Sequence, residues 1–351
     1  MTWYSLFRSA RSIRMARFTV SALALVAALL AGAAAVTSVA SADLALWKSE
    51  FPLTDFARAQ VPLGEIEDDG NYRDTISPID EPVFQPANAL TAMGPLEPVL
   101  SLIIDGDARA YPLRMLLWHE IVNDMVGGVP VLVSYCPLCN SGVVYDRRVD
   151  GQAVQFGNTG RIRHADMVMY DRRTESWWQQ FTGEAIVGFH AGRLLRALPA
   201  RLESLARFRA RAPDGKVMIP ADVMRQPYGE TPYFHMDSLW DTQSRNMVRE
   251  RFPSDLPDGI SPLTRVVAVG ERAWSVDLVQ ARGRIEADDL VLTWYAGQNS
   301  IHDSPWIPAG RDVGNIVVQK TGPDGKLRDV PYDVTFAFAF RTFRPDGEMK
   351  F

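Results

Sequence analysis

Cys136 and Cys139, the only two cysteines in the chain, could hold a metal ion or cycle between thiol and disulfide. They stand in Val129 to Asp146, V-P-V-L-V-S-Y-C-P-L-C-N-S-G-V-V-Y-D. A β-branched run, Val129 to Val133, leads in, and a second run, Val143 to Tyr145, leads out. Two apolar runs around a Pro/Cys/Asn/Gly break read as two strands joined by a tight loop that presents both thiols. A disulfide closing so small a loop would contribute only about 2 kcal/mol. Stability is therefore a weak reason for the pair.

Two thiols this close can chelate one soft ion, but they need one or two further donors. His119, His164 and Met167 are the candidates, with Met169 on the same strand face as Met167. Thiolate, imidazole and thioether together favour copper. The rival reading is a redox dithiol. It cannot use the thioredoxin fold, where the motif opens a helix, because Asn140-Ser141-Gly142-Val143-Val144-Tyr145 continues as turn and strand. A second class of function is a hydrolase or transferase with Cys136 as nucleophile, His119 as base, and Glu120 or Asn140 orienting it. A third is a non-catalytic module whose aromatic cleft, lined by Tyr170, Asp171, Arg172, Trp177 and Trp178, holds a small ligand. The plainer alternatives are a core histidine at a helix end for His119, and an Asp-started turn with buried tryptophans for the cleft. His190, His235 and His302 read as structural or surface residues.

These residues need elements to position them. Residues 43–98, rich in Pro and acids, read as an extended leader. Val99 to Ile104 is a strand, Asp105-Gly106-Asp107 a hairpin turn, and Ala108 to Tyr111 the return. Pro112 opens a helix from Leu113 to about Asn123 that carries Trp118-His119-Glu120. Gly127-Gly128 breaks the chain before the cysteine strand. Further expected elements are an Asp150-Gly151 turn, a strand at Val154 to Phe156, a loop at Gly157 to Gly160, and a strand at Met167 to Tyr170. A helix is expected at Ala200 to Arg211, a loop at Pro213 to Pro262, and a strand at Val334 to Phe340. Val131 to Ser141 aligns without a gap on Leu290 to Ser300, L-V-L-T-W-Y-A-G-Q-N-S. Gly106 to Tyr111 resembles Gly270 to Trp274 with one deletion. The expected fold is mainly β (α+β), antiparallel-rich with a few short helices. It comprises two related β-rich units, 99–262 with the Cys/His site and a degenerate 263–351 packed on it. Tyr295 and Gln298 replace the cysteines in the second, so the unit folds without them.

The N-terminus sets the compartment. Arg8, Arg11, Arg14 and Arg17 precede an alanine-rich apolar segment, and Ala40-Ser41-Ala42 offers a cleavage site. Residues 1–42 read as a signal peptide, giving a periplasmic or secreted chain from Asp43 with no stable membrane insertion. The net charge of −5 falls to −9 once those four arginines are removed. An acidic chain argues against nucleic acid and anionic membranes as partners. That leaves a metal ion or small molecule. A chain of this size buries a full core without staples.

Six motifs in order carry a resemblance: Ala110-Tyr111-Pro112-Leu113, Trp118-His119-Glu120-Ile121-Val122-Asn123-Asp124, Val126-Gly127-Gly128-Val129-Pro130-Val131, Tyr135-Cys136-Pro137-Leu138-Cys139, Val168-Met169-Tyr170-Asp171-Arg172 and Thr182-Gly183-Glu184-Ala185. Together they resemble the bacterial exported domain-of-unknown-function family DUF3179, densely from about Glu97 to Arg211. The resemblance implies the fold and leaves the activity open.

Overall fold

The computed structural model describes residues 43–221, 226–236 and 255–351. The expected signal peptide, and part of the expected loop at 213–262, lie outside them. The chain divides into compact units of residues 1–53 and 54–351. In the first, residues 43–50 are helical. The second is mostly antiparallel β with short helices.

Its leader contributes two strands, β1 (Ile66–Asp68) and β2 (Val83–Pro86). A run of β3 (Pro98–Ile104), β4 (Asp107–Pro112), α1 (Leu113–His119), β5 (Ile121–Val126), β6 (Val129–Cys136) and β7 (Ser141–Asp146) follows. Next come a small hairpin, β8 (Arg148–Val149) and β9 (Gln152–Ala153), and then β10 (Phe156–Arg163), β11 (Asp166–Asp171), β12 (Trp177–Gln179) and β13 (Ala185–Val187). The run closes with β14 (Arg196–Ala197), β15 (Arg201–Ser204), α2 (Leu205–Arg211) and β16 (Lys216–Ile219). A second run holds β17 (Arg265–Val269), β18 (Arg272–Ser275), α3 (Val276–Arg282), β19 (Arg284–Ala287), β20 (Leu290–Tyr295), β21 (Asn315–Thr321), β22 (Leu327–Asp329), β23 (Asp333–Phe336), α4 (Ala337–Phe343) and β24 (Glu348–Lys350).

The two runs pair their strands in the same way. β3 and β4 form an antiparallel hairpin, as do β17 and β18. β5-β6-β7 and β19-β20-β21 are antiparallel meanders, extended by β14 and β22 respectively. β15 returns antiparallel to β3 and β23 to β17. After their helices, β16 runs parallel to β4 and β24 parallel to β18. Each of the four helices has seven residues. Cys136 ends β6 where Tyr295 ends β20. The match extends to a second sequence pattern, Phe208-Arg209 with Pro213-Asp214-Gly215 against Phe340-Arg341 with Pro345-Asp346-Gly347. A Cβ on Gly215 would lie 2.6 Å from the Phe208 ring, and one on Gly347 2.7 Å from the Phe340 ring. The same ring fills the same space in both runs.

The runs interlock: β23 packs on β7, and β15 on β21. One apolar core holds Leu116, Val133 and Tyr135 of the first with Val267, Leu292 and Val318 of the second. A small cavity between them is lined by matched residues, including Leu113 with Val276, Leu202 with Val334, and Asn140 with Asn299. The first run alone carries β8 to β13. Most of that insert joins β1 in a five-stranded sheet, β1-β10-β11-β12-β13.

Six expected boundaries shift. Val154 and Gln155, expected in a strand with Phe156, lie outside any strand, and β10 starts at Phe156. The loop expected from Pro213 holds β16, because Lys216 to Ile219 pair with β2 and β4. The helix from Leu113 ends at His119 rather than Asn123. Glu120 takes φ +56°, and the β-branched Ile121-Val122 then enters β5. The helix expected over Ala200 to Arg211 starts only at Leu205, because Arg201 to Ser204 pair with β3. The strand expected at Val334 to Phe340 stops at Phe336, and Ala337 onward is α4. A short, fully buried Phe/Ala alternation satisfies either period. Gly157 to Gly160, expected as a loop, lies within β10, whose register shifts between Asn158 and Arg161.

Candidate metal centre

The β6–β7 hairpin presents Cys136 and Cys139 as the sequence requires, but inward: both are buried and unbridged. The loop between them is held by the second run. Phe336 N–H and Thr335 Oγ1 donate to Cys139 O at 3.0 and 2.8 Å. His302 Nε2 donates to Pro137 O at 2.9 Å, while its Nδ1 accepts from Arg265. Asn140, at φ +53°, accepts from Tyr135 Oη and donates to Val334 O. Asp333 accepts Ser141 Oγ and Gly142 N–H at the start of β7.

The inserted sheet supplies the third group. His164 and Ala165 turn the chain from β10 into β11, which Asp166 opens, and both thiols point to Ala165 O, Cys139 Sγ at 3.3 Å and Cys136 Sγ at 3.7 Å. The two sulfurs and an Asp166 carboxylate oxygen all lie within 4.8 Å of one another, and all three residues are buried. Asp166 Oδ2 accepts Gln179 Nε2 at 2.6 Å and Phe181 N–H at 2.9 Å. Oδ1 makes no regular hydrogen bond.

Burial dominates the electrostatics. It pushes both thiols up, Cys139 far above the ordinary thiol range. It raises Asp166 to about 7 against the bonds from Gln179 and Phe181. Glu120, beside the pair, rises to about 8 through burial and then the charge of Asp69. Asp333 rises to about 6. The leading influences on Asp166 and Glu120 are burial, neighbouring carboxylates and hydrogen bonds rather than a cation. Acids and thiols buried together without a positive charge are costly to ionise. A bound cation would reverse that.

The expected histidine donors lie elsewhere. His119 Nδ1 donates to Ser77 O at 2.8 Å, and its Nε2 accepts from Tyr228 Oη at 2.8 Å. A carbonyl can only accept, so Nδ1 carries the proton, and the Nε2 lone pair is already used. Burial lowers its pKa, keeping it neutral. His119 therefore does not join the cysteines, either as ligand or as base. His164 is half-buried, with its Nε2 3.2 Å from a Glu65 carboxylate oxygen and its ring packed on Phe343. Met167 lines the same apolar cluster as both cysteines, with its sulfur 3.4 Å from Asn158 Nδ2. Met169 belongs to that cluster too.

The expected aromatic cleft is filled. Trp177 and Trp178 are fully buried, each worth about 3 to 5 kcal/mol on truncation to Ala. Asp171 caps the following turn through Thr174 and accepts Trp178 Nε1. Tyr170 Oη donates to Asp74, and Arg172 pairs with Asp80. This is the plainer reading, an Asp-started turn over buried indoles.

The sequence reading missed Asp166 and Asp333; His302, read as a structural or surface residue, is buried and braces Pro137 O. Asp166 carries no local signal beyond sitting before a strand, and its role depends on how an inserted sheet folds back. The ungapped alignment reaches Ser300, two residues short of His302, so the second run was the place to look.

A family model described as a protein of unknown function (DUF3179) matches residues 73–347. The chain belongs to the DUF3179 family. The match spans the first run with β8 to β13 and the second run through α4, so the DUF3179 region contains the whole Cys136/Cys139/Asp166 group. No curated protein and no solved structure matches the chain.

Proposed function

We propose that this DUF3179 chain is an exported metal-binding protein whose ion is held by Cys136, Cys139 and Asp166. The observation that carries the reading is the convergence of three buried donor atoms within 4.8 Å of one another. Metal–sulfur bonds of about 2.3 Å and metal–oxygen bonds of about 2.0 to 2.2 Å require only small adjustments from that spacing. Both cysteines are buried, which disfavours attack on a partner protein's disulfide and so ranks the redox dithiol second. The copper expectation rested on imidazole and thioether donors. With His119 and His164 placed elsewhere and a carboxylate in third position, the set favours Zn2+ over copper(I).

Two supporting readings accompany this one. The matched pairing of 98–219 and 265–350 supports duplication of one unit, with the site confined to the copy that gained the insert. Export rests on the Arg-then-apolar N-terminus. Among the described residues no helix is long and apolar enough to cross a membrane.

The test is metal uptake by the chain from Asp43. Metal-free protein should take up one Zn2+ or Cu+ per chain, and Cys136→Ser should abolish uptake while keeping the fold. A wild-type chain that takes up neither ion, or a Cys136→Ser chain that binds as well as wild type, would overturn the reading.

A further inference from the structure

The residue after α1 has a backbone that glutamate does not favour. Glu120 sits at φ +56°, ψ −31°. The residue after α3 has φ +68°, ψ −40°, and there the chain uses Gly283. The two positions are equivalent by hydrogen bonding as well: Tyr135 N–H donates to Glu120 O at 2.9 Å, and Trp294 N–H to Gly283 O at 3.0 Å. Tyr135 and Trp294 are themselves matched in the ungapped alignment. A side chain at positive φ and negative ψ is strained. The first run accepts that strain, and it also buries a carboxylate.

That carboxylate is tied to the strands that bring Asp166 to the thiols. Glu120 Oε2 accepts Asn158 Nδ2 at 2.6 Å, and the same Nδ2 touches Met167 Sδ. Asn158 lies on β10 and Met167 on β11, the two strands that flank Ala165-Asp166. Glu120 is near enough for its charge to act on the Cys136 thiol. It lies outside the group of three mutually close donors. Three protein donors leave the fourth position of a tetrahedral ion open, as in catalytic rather than structural sites.

We propose that Glu120 is the outer carboxylate of the Cys136/Cys139/Asp166 centre, accepting a hydrogen bond from a water in the ion's fourth position. The inference rests on the metal reading above. It makes the centre an open one, whose water a small anion or oxygen donor can displace. It also accounts for why the insert-bearing copy keeps a glutamate where the other has glycine. Glu120 is a positioning residue in this account, acting on the ion through the water.

The experiment uses Co2+ in the full chain from Asp43, since its visible spectrum reports coordination. Wild type, Glu120→Gly, Glu120→Gln and Cys136→Ser are compared for Co2+ affinity against a chromophoric chelator, for urea stability without metal, and for the spectral response to azide. Both Glu120 variants should bind Co2+ about 10- to 100-fold more weakly. Metal-free Glu120→Gly should be at least as stable as wild type, because glycine relieves the strain. Azide should change the wild-type cobalt spectrum. Glu120→Gln keeps the side-chain size, so it carries the comparison should the glycine variant fold poorly. Affinity within twofold of wild type in both variants overturns the proposal, as does a cobalt spectrum indifferent to azide. Affinity losses that merely follow equal losses of metal-free stability overturn it too. A wild-type chain that binds no Co2+, like Cys136→Ser, sinks the metal reading itself, which separates the two failures.

Discussion

Replacing Asp166 by Asn separates the charge of the centre from its shape. The Asn oxygen can take the place of Oδ2, accepting Gln179 Nε2 and Phe181 N–H. Its amide then replaces Oδ1, which makes no regular hydrogen bond. The fold should therefore tolerate the change. The folded-state pKa of Asp166 is raised to about 7 from an ordinary 3.8. The folded chain thus holds this proton more tightly than the unfolded chain, and metal-free wild type loses stability as pH rises from about 4 to about 7. Asn does not titrate. Between pH 5 and pH 8 about two units of that window are crossed, at about 1.4 kcal/mol each, so wild type should lose on the order of 3 kcal/mol relative to Asp166→Asn. Glu120 and Asp333 titrate in both proteins and largely cancel. Urea unfolding with chelator present, followed by tryptophan fluorescence, measures the difference. A gap between the two proteins that is the same at pH 5 and pH 8, to within about 1 kcal/mol, would refute the claim that Asp166 is a buried charge awaiting a cation.

Two further outcomes are expected. Gly215→Ala and Gly347→Ala should destabilise by similar amounts, about 1 to 3 kcal/mol each, because each new Cβ meets the matched phenylalanine ring; a large effect at one site and none at the other would count against duplication. Exported protein should begin at or near Asp43, and an intact mass that retains Met1 to Ala42 would refute the signal-peptide reading.

The hairpin was legible from sequence because its β-branched runs and Pro/Cys/Asn/Gly break have no competing period. Helix ends were not. Ile121 and Val122 continue the helical spacing of Leu116 and Leu117, and nothing local says that Glu120 turns the chain. Arg201 to Ser204 fit a helical face equally well, and only pairing with Ser101 to Pro98 makes them a strand. The site divided in the same way. The thiols, neighbours in sequence, could be read directly. Asp166 lies 27 residues beyond Cys139 on a sheet inserted into the unit, so its approach is a tertiary event. His119 looked functional because a polar pair interrupts an apolar helix. Glu120 is the member of that pair beside the cysteines, while His119 turns to Ser77 and Tyr228.

X-ray absorption at the metal edge of the zinc-loaded chain tests the central claim most directly. The account predicts a first shell of two sulfurs at about 2.3 Å and two oxygens at about 2.0 to 2.2 Å, one from Asp166 and one from water, with the sulfur signal lost in Cys136→Ser. A first shell of nitrogen and oxygen alone, or one of four sulfurs shared between chains, would contradict it.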